Sequence, residues 1–379
     1  MTHLQLQAID VTLRSRHGTR LVEVRALDDA WLTVRAGETM GVIGPTGCGK
    51  STLLRVIAGL IQPDAGKVII DGQDQRGVPT RERGIGMVFQ DYALYSHWNV
   101  WNNLAFYFRL RRRVDEVPAR VHEAADILGV NFEYLLWRKP GHLSVGQRQQ
   151  VAIARCLVRD PRLFLMDEPF ANLDAAQRQR ARLMLKRMLL RFKITTVHVT
   201  HDQQEAAALC DRVAFMEAGH IRQVDTFRNL LNWPIALDTA QFVTEPGSTF
   251  IEGACLEGHF ACPAFSVPLP SHVLVRTSRG QGMTLRVRPG AVSPAPYSDA
   301  AAQPFIPVRA EVTWIEPLPM HRLQRVSCQA GKVPLTVELS QEVPVRNGEK
   351  IQLVIDPGKV DFFDTTSGAN LALRAADAA

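Results

Sequence analysis

The stretch that most restricts the fold is Gly44-Pro45-Thr46-Gly47-Cys48-Gly49-Lys50-Ser51-Thr52, which satisfies G-x-x-x-x-G-K-[ST]. An apolar run at 40–43 precedes it, and a helical pattern (Leu53, Leu54, Val56, Ile57, Leu60) follows. Glycines let the loop's amides wrap a β-phosphate, Lys50 neutralises β/γ charge, and the Ser51 hydroxyl suits Mg2+. Strand, loop and helix in that order belong at the carboxyl edge of a parallel sheet.

Runs at 163–166, 195–200 and 213–216 read as further strands of that sheet. The strand endings Gly44 onward, Asp167-Glu168 and His201-Asp202 are expected to converge, since ligands of open α/β sheets bind there. Asp167 suits a Mg2+ shell, and Glu168 beside it is placed to orient or deprotonate a water. The competing reading of Glu168 is an ordinary capping carboxylate. Gln90 follows another apolar strand, in GMVFQDYALY, and can set its side-chain oxygen on Mg2+ or water. His201 ends a strand within reach of a γ-phosphate, whereas His198, three residues back within that strand, reads as a packing histidine.

GHLSVGQRQQ at 141–150 raises the possibility of a second anion site. Ser144 can cap the helix that Val151, Ile153, Ala154, Leu157 and Val158 outline, and Gly146 admits a close approach. This stretch sits in a helical insert at about 95–155. Beyond 237 helix periodicity gives way to short alternating segments: FSVPLP, HVLVRT, TLRVRP, VRAEVTWIE, VPLTVEL and KIQLVID. The expected architecture is an α/β phosphate-loop domain over 1–237, with a parallel-sheet core, followed by a small all-β barrel over 238–379.

No run approaches the roughly 18 uncharged apolar residues that span a bilayer. MTHLQLQAID lacks the basic start and apolar core of a signal peptide, so a cytoplasmic location is expected, with any membrane contact made through a partner. The six cysteines form no CxxC pair and read as free thiols. The net charge of +6 is partly local, in Arg109 with Arg111, Arg112 and Arg113, and along 178–191. The second set interleaves with Leu183, Leu185, Met188 and Leu189, which reads as the solvated face of a packed helix and argues against nucleic acid.

In chain order, the phosphate loop, Gln90, Ser144-Val145-Gly146-Gln147, Asp167-Glu168, Ala171-Asn172-Leu173-Asp174 and His201 resemble the ABC-type ATPase subunits over about the first 240 residues. RERGIGMVFQDYALYSHWNVWNNLAF, LRVRPGAV and VDFFDTTSGANL are similar to the maltose and glycerol-3-phosphate importer ATPases, with their coupling region and OB-like regulatory domain. The resemblance implies ATP and Mg2+ held between two head-to-tail subunits. The phosphate loop of one faces the signature residues Ser144, Val145, Gly146 and Gln147 of the other. Glu168 is then the catalytic carboxylate, His201 the γ-phosphate switch, and Asp174 an interface residue. Residues from Gln90 to Asn99 receive a coupling helix from one of two permease subunits, served by an extracytoplasmic solute-binding protein. The chain is then peripheral to the cytoplasmic membrane face. The solute is expected to be a sugar, polyol or glycerol phosphate, with polyamine, iron and sulfate as alternatives.

A soluble ABC ATPase of translation or DNA repair is the other reading. Translation types usually carry two nucleotide domains and repair types a coiled-coil insert, while this chain has one of each motif and no heptads. LSVGQ followed by RQQVAIAR argues against a small-molecule kinase. Two departures from the family stand out. The loop where an aromatic residue usually stacks on adenine reads Leu13-Arg14-Ser15-Arg16-His17-Gly18, leaving His17 or Arg16 to stack. Val145 replaces a usual glycine, which is either neutral, a hindrance to closure, or the mark of pairing with a different ATPase.

Overall fold

Leu4, Leu6, Ile9 and Val11 are buried, and the change of parity between 6 and 9 coincides with a bulge at Ala8, where φ is +50°. This alternation makes β1 (Leu4–His17) one arm of a hairpin with β2 (Arg20–Val34). The computed structural model describes residues 2–17, 20–128, 133–295 and 305–373, leaving aside the side chains of 15–21 and 126–133. They divide into two units, Met1–Arg228 and Asn229–Ala379.

Chain order in the first unit continues with β3 (Thr39–Ile43), α1 (Lys50–Ala58), β4 (Ala65–Ile70), β5 (Gln73–Asp74) and β6 (Ile85–Val88). Three helices follow: α2 (Val100–Leu110), α3 (Val117–Leu128) and α4 (Val145–Leu157). The unit then runs through β7 (Leu163–Asp167), α5 (Ala175–Phe192), β8 (Thr195–Val199), α6 (Gln203–Leu209), β9 (Arg212–Glu217) and β10 (His220–Asp225). One sheet has the order β10-β9-β3-β8-β7-β6 and is parallel except at its β10 edge. Every residue of β3, β7 and β8 is buried, which is why none alternates apolar with exposed polar residues, and β8 buries Thr195, Thr196 and His198 along with its valines. The expected parallel core is therefore present. A second, antiparallel sheet, β2-β1-β4-β5, stands beside the expected parallel core.

Leu53, Leu54 and Ile57 pack α1 among Val42, Leu163, Leu165 and Val197, which fixes the helix against the strands that end at the site. The end of α1 is closed by Arg83, a buried guanidinium that donates to the carbonyls of Val56, Ile57, Gln75 and Val78 at 2.9–3.3 Å. The helices of the insert, α2 to α4, share a core that includes Leu104, Phe108, Val121, Val151 and Ile153.

The boundary of the two units falls inside α7 (Phe227–Asn232), and α8 (Leu237–Phe242) follows in the second. Its strands are β11 (Thr249–Leu256), β12 (His259–Ala261), β13 (Ser266–Pro268), β14 (Gly282–Val287) and β15 (Val292–Pro294). After them come β16 (Ile306–Leu318), β17 (Leu323–Ala330), β18 (Val333–Ser340), β19 (Lys350–Ile355) and β20 (Val360–Asp364). They form two five-stranded antiparallel sheets, β13-β12-β11-β14-β20 and β15-β19-β16-β17-β18, around Ile251, Phe260, Leu285, Val326 and Phe362. LRVRPGAV and VDFFDTTSGANL meet here: β14 pairs with β20, Arg286 opposite Asp361, and Arg288 reaches the Asp361 carboxylate at 2.9 Å. HVLVRT is not a strand, for Ser271–Leu274 forms a short helix, α9, just after Pro268 and Pro270. Of its apolar residues only Val273 is buried, and Val275 stays exposed.

Arg83→Met removes the donor to four carbonyls at once. Leaving buried acceptors unmet is expected to cost about 2–4 kcal/mol, read as lost hydrogen-exchange protection across α1. Unchanged protection there would show that Arg83 does not hold the helix.

Candidate functional site

Parallel register sets the site. β3, β8, β7 and β6 lie side by side, so the residues following their carboxyl ends (Gly44, His201, Glu168 and Gln90) gather along one edge. The loop after β3 needs glycine by sterics. A Cβ on Gly44 would sit 2.0 Å from the Met216 carbonyl oxygen, and one on Gly49, at φ +109°, 2.2 Å from that of Ala26. Lys50 is buried, and its ammonium donates to the carbonyls of Gly44 and Pro45, both at 2.8 Å, so the loop curls around its own lysine. Cys48 lies 3.8 Å from that ammonium, and burial pushes its thiol up. All six cysteines are free.

α1 begins after Gly49 with no side-chain cap, unlike α2, α4, α5 and α6, which Asn99, Ser144, Asp174 and Asp202 cap. Its first amides are thus left for an anion inside the loop, with the helix dipole behind them. Ser51 Oγ, in its first turn, donates to Asp167 Oδ1 at 3.0 Å. Asp167 is buried, which pushes its carboxyl up; the Ser51 hydrogen bond opposes this and the neighbouring Glu168 adds to it. Glu168 has φ +45°, a left-handed conformation for a non-glycine residue at the strand end, held by its amide bond to the Val199 carbonyl at 3.0 Å. Its Oε2 lies 3.1 Å from His201 Nδ1, on a half-exposed imidazole. His198 is fully buried beside Glu205 and Phe170, away from that edge.

At the start of α4, Ser144 Oγ accepts from the Gln147 amide at 3.2 Å and Gln147 Oε1 from the Ser144 amide at 3.0 Å, a reciprocal capping box. That box uses two amides, and leaves those of Val145 and Gly146 as the open donors of the first turn. The Val145 side chain packs against the core of the helical insert. A Cβ on Gly146 would meet only Gln177 Oε1, at 3.5 Å. Gln147 also donates to the Tyr134 hydroxyl at 2.7 Å, and the Arg138 guanidinium lies over the Tyr134 ring.

Gln90 is exposed, and its carbonyl accepts from Asn172 at 3.2 Å. The loop beyond it is held by two residues not singled out in the sequence. Arg155 of α4 donates to the carbonyls of Ala93 at 2.6 Å and Tyr92 at 3.1 Å, and Asn103 of α2 bonds the backbone of Tyr95, Trp98 and Asn99. Beside this loop is a cavity of about 420 Å3, lined in part by Phe89, Tyr95, Phe106, Tyr107 and Arg155. Arg178, read in the sequence as part of a solvated basic face, instead joins the Leu173 carbonyl to the acidic side chains of Asp202 and Glu205. Polar residues on helices read as solvated faces until their partners, distant in sequence, are seen. The His17 and Arg16 side chains lie outside those described. Among the described residues no helix is long and apolar enough to cross a membrane.

The ABC transporter family matches residues 27–171. The trehalose/maltose import ATP-binding protein of Thermococcus litoralis is 38% identical, over 93% of this chain and 98% of its own. The sn-glycerol-3-phosphate import ATP-binding protein of Yersinia pseudotuberculosis is 36% identical, over 98% of this chain and 99% of its own. The solved dimer of the cassette MJ0796 in a post-hydrolysis state, bound to ADP and phosphate, has 27% identity and a TM-score of 0.50, covering 59% of this chain and 98% of that one. Phosphate loop, strand-end carboxylates and full-length similarity lead to one assignment: this chain belongs to the ATP-binding proteins of the ABC transporter family and is an ATPase.

Proposed function

We propose that this chain is the ATP-hydrolysing subunit of an importer for a sugar, polyol or glycerol-phosphate-type solute. It acts as a nucleotide-sandwich dimer at the cytoplasmic face of a membrane, beneath two permease subunits. The observation that carries the reading is the pair of helix N-termini, α1 without a side-chain cap and α4 with its Val145 and Gly146 amides open. One such end suits the phosphates of a bound ATP, and the other suits the γ-phosphate of an ATP held by a second subunit. Gly146 meets almost nothing within its own chain, in keeping with close approach by another molecule.

Within one subunit the loop from Gly44 to Thr52 cradles the phosphates, with Lys50 leaving its carbonyl partners for the β/γ oxygens. Ser51 and Asp167 present two hard oxygen donors 3.0 Å apart, with Gln90 at the same sheet edge. Among the described residues no group of three or more His, Cys, Asp or Glu side chains is placed to hold a metal ion by itself. That donor set fits Mg2+, which keeps waters and phosphate oxygens as its other ligands and neutralises phosphate charge. Glu168 orients and deprotonates the attacking water, and His201, set against Glu168, contacts the γ-phosphate. His17 is the proposed contact for adenine. The loop from Gln90 to Asn99, fastened by Arg155 and Asn103 beside the 420 Å3 cavity, receives a helix of the permease. An extracytoplasmic protein delivers the solute. The inward packing of Val145 favours the reading in which it leaves the α4 amides clear, and the partner subunit is then a second copy of this chain.

Two measurements test this reading. Glu168→Gln is expected to lower kcat for phosphate release by about 10²–10⁴-fold while ATP still binds and drives dimer formation in gel filtration. Ordinary turnover by that variant would remove Glu168 from the chemistry. Val145→Gly is expected to lower stability by about 1 kcal/mol through lost packing and a glycine in the first turn, with turnover within about twofold. A large rise in turnover would mean that Val145 restrains closure instead.

A further inference from the structure

α5 starts at Asp174, whose side chain caps it by accepting from the Gln177 amide, so the ANLD loop and the first turn of this helix move together. One residue further on, Arg178 turns back across that turn. Its Nη2 donates to the Leu173 carbonyl at 3.1 Å, its Nη1 lies 3.7 Å from Asp202 Oδ2, and its Nε lies 4.0 Å from Glu205 Oε1. Nε is buried and makes no hydrogen bond. Asp202 and Glu205 belong to the turn that carries His201. Asp202 caps α6 through the amides of Gln204 and Glu205, and its own amide donates to Thr200 Oγ1 at 3.0 Å. Thr200 Oγ1 in turn donates to Glu205 Oε2 at 2.7 Å. His201 is therefore flanked on both sides by residues of this net.

We propose that Arg178 is a positioning residue for ATP hydrolysis, which ties the ANLD loop to the turn that holds His201. The inference rests on the role given to His201 above. Glu205 is only 3% exposed, so its carboxylate depends on close partners: Thr200 Oγ1 donates to Oε2, and the Arg178 guanidinium faces Oε1. The Arg178 contacts to Asp202 and Glu205 are longer than hydrogen bonds by about 1 Å or less. A movement of the ANLD loop of that size closes them, meets the orphaned Nε–H, and shifts the backbone on either side of His201. A guanidinium suits this place because it presents a planar fork of donors to three acceptors at once, which an ammonium does not.

The test uses the full-length chain with ATP, following phosphate release for Arg178→Gln, Arg178→Lys, His201→Ala and the double variant Arg178→Gln/His201→Ala. Arg178→Gln is expected to lower kcat about tenfold with KM for ATP within about twofold, and the lysine variant to fall between it and the parent. A role exercised through His201 makes the effects non-additive: in the His201→Ala background, Arg178→Gln costs less than about a further twofold. Arg178→Gln with at least half the parental kcat, or with its full tenfold cost retained in the double variant, overturns the inference alone. Full turnover by His201→Ala overturns the role of His201 and this inference with it. Circular dichroism and thermal melting check the fold of each variant. If Arg178→Gln does not fold, Asp202→Asn carries the same cycle, since it keeps an oxygen to cap α6 and removes the charge that faces Arg178.

Discussion

The hydrogen bond between Ser51 and Asp167 joins residues 116 apart in sequence, and the rest of the site is arranged around it. Ser51 rides on the first turn of α1, so its position depends on the whole helix: on Leu53, Leu54 and Ile57 beneath it, and on Arg83 closing its far end. Asp167 is the last residue of β7, whose place is fixed by β6 and β8 on either side. A contact of this kind forms only when both halves of the core are packed. Burial of Asp167 has a further consequence. It raises the cost of the bare carboxylate, so a cation placed there gains from satisfying a charge the fold leaves poorly solvated.

Helix capping sorts the helix ends by what they are available for. Asn99, Asp174 and Asp202 satisfy the first turns of α2, α5 and α6 with their own side chains. α1 has glycine at that position and keeps its amides for a ligand. α4 is intermediate: its capping box fixes the entry of the chain and consumes two donors, and the two that remain, on Val145 and Gly146, are held in a rigid first turn. A side chain at 145 in this geometry packs toward the insert's core, which explains how a branched residue is accommodated there.

Much of this was legible in the sequence because it depends on local pattern. β3 and β7 are largely continuous apolar runs, the phosphate loop is a fixed spacing of glycines around a lysine, and Ser144 stands as an N-cap just before an apolar-periodic run. What escaped depends on distant partners. Arg83, Arg155 and Arg178 are charged residues that a one-dimensional reading assigns to water, yet Arg83 and Arg155 spend their guanidinium groups on backbone carbonyls from other segments, and Arg178 faces the carboxylates of Asp202 and Glu205. The hairpin of β1 and β2 escaped for a different reason: its bulge at Ala8 breaks the alternation that would have announced it. HVLVRT has the composition of a strand, but two prolines just before it and a lack of pairing partners turn it into a helical turn.

The same three arginines fasten segments of the first unit to one another. Arg83 closes the end of α1 away from the phosphate loop, Arg155 ties α4 to the carbonyls of Tyr92 and Ala93, and Arg178 ties α5 to Leu173 and faces the His201 turn. Tyr92 and Ala93 have φ of +63° and +45°, a conformation that non-glycine residues keep only when the surroundings impose it. The α4 helix thus has the open amides of Val145 and Gly146 at one end and, three turns on, the grip on the 90–99 loop at the other. α4 is thus one element of 13 residues packed on one face and fastened at both ends, by its capping box at the first turn and by Arg155 at the last.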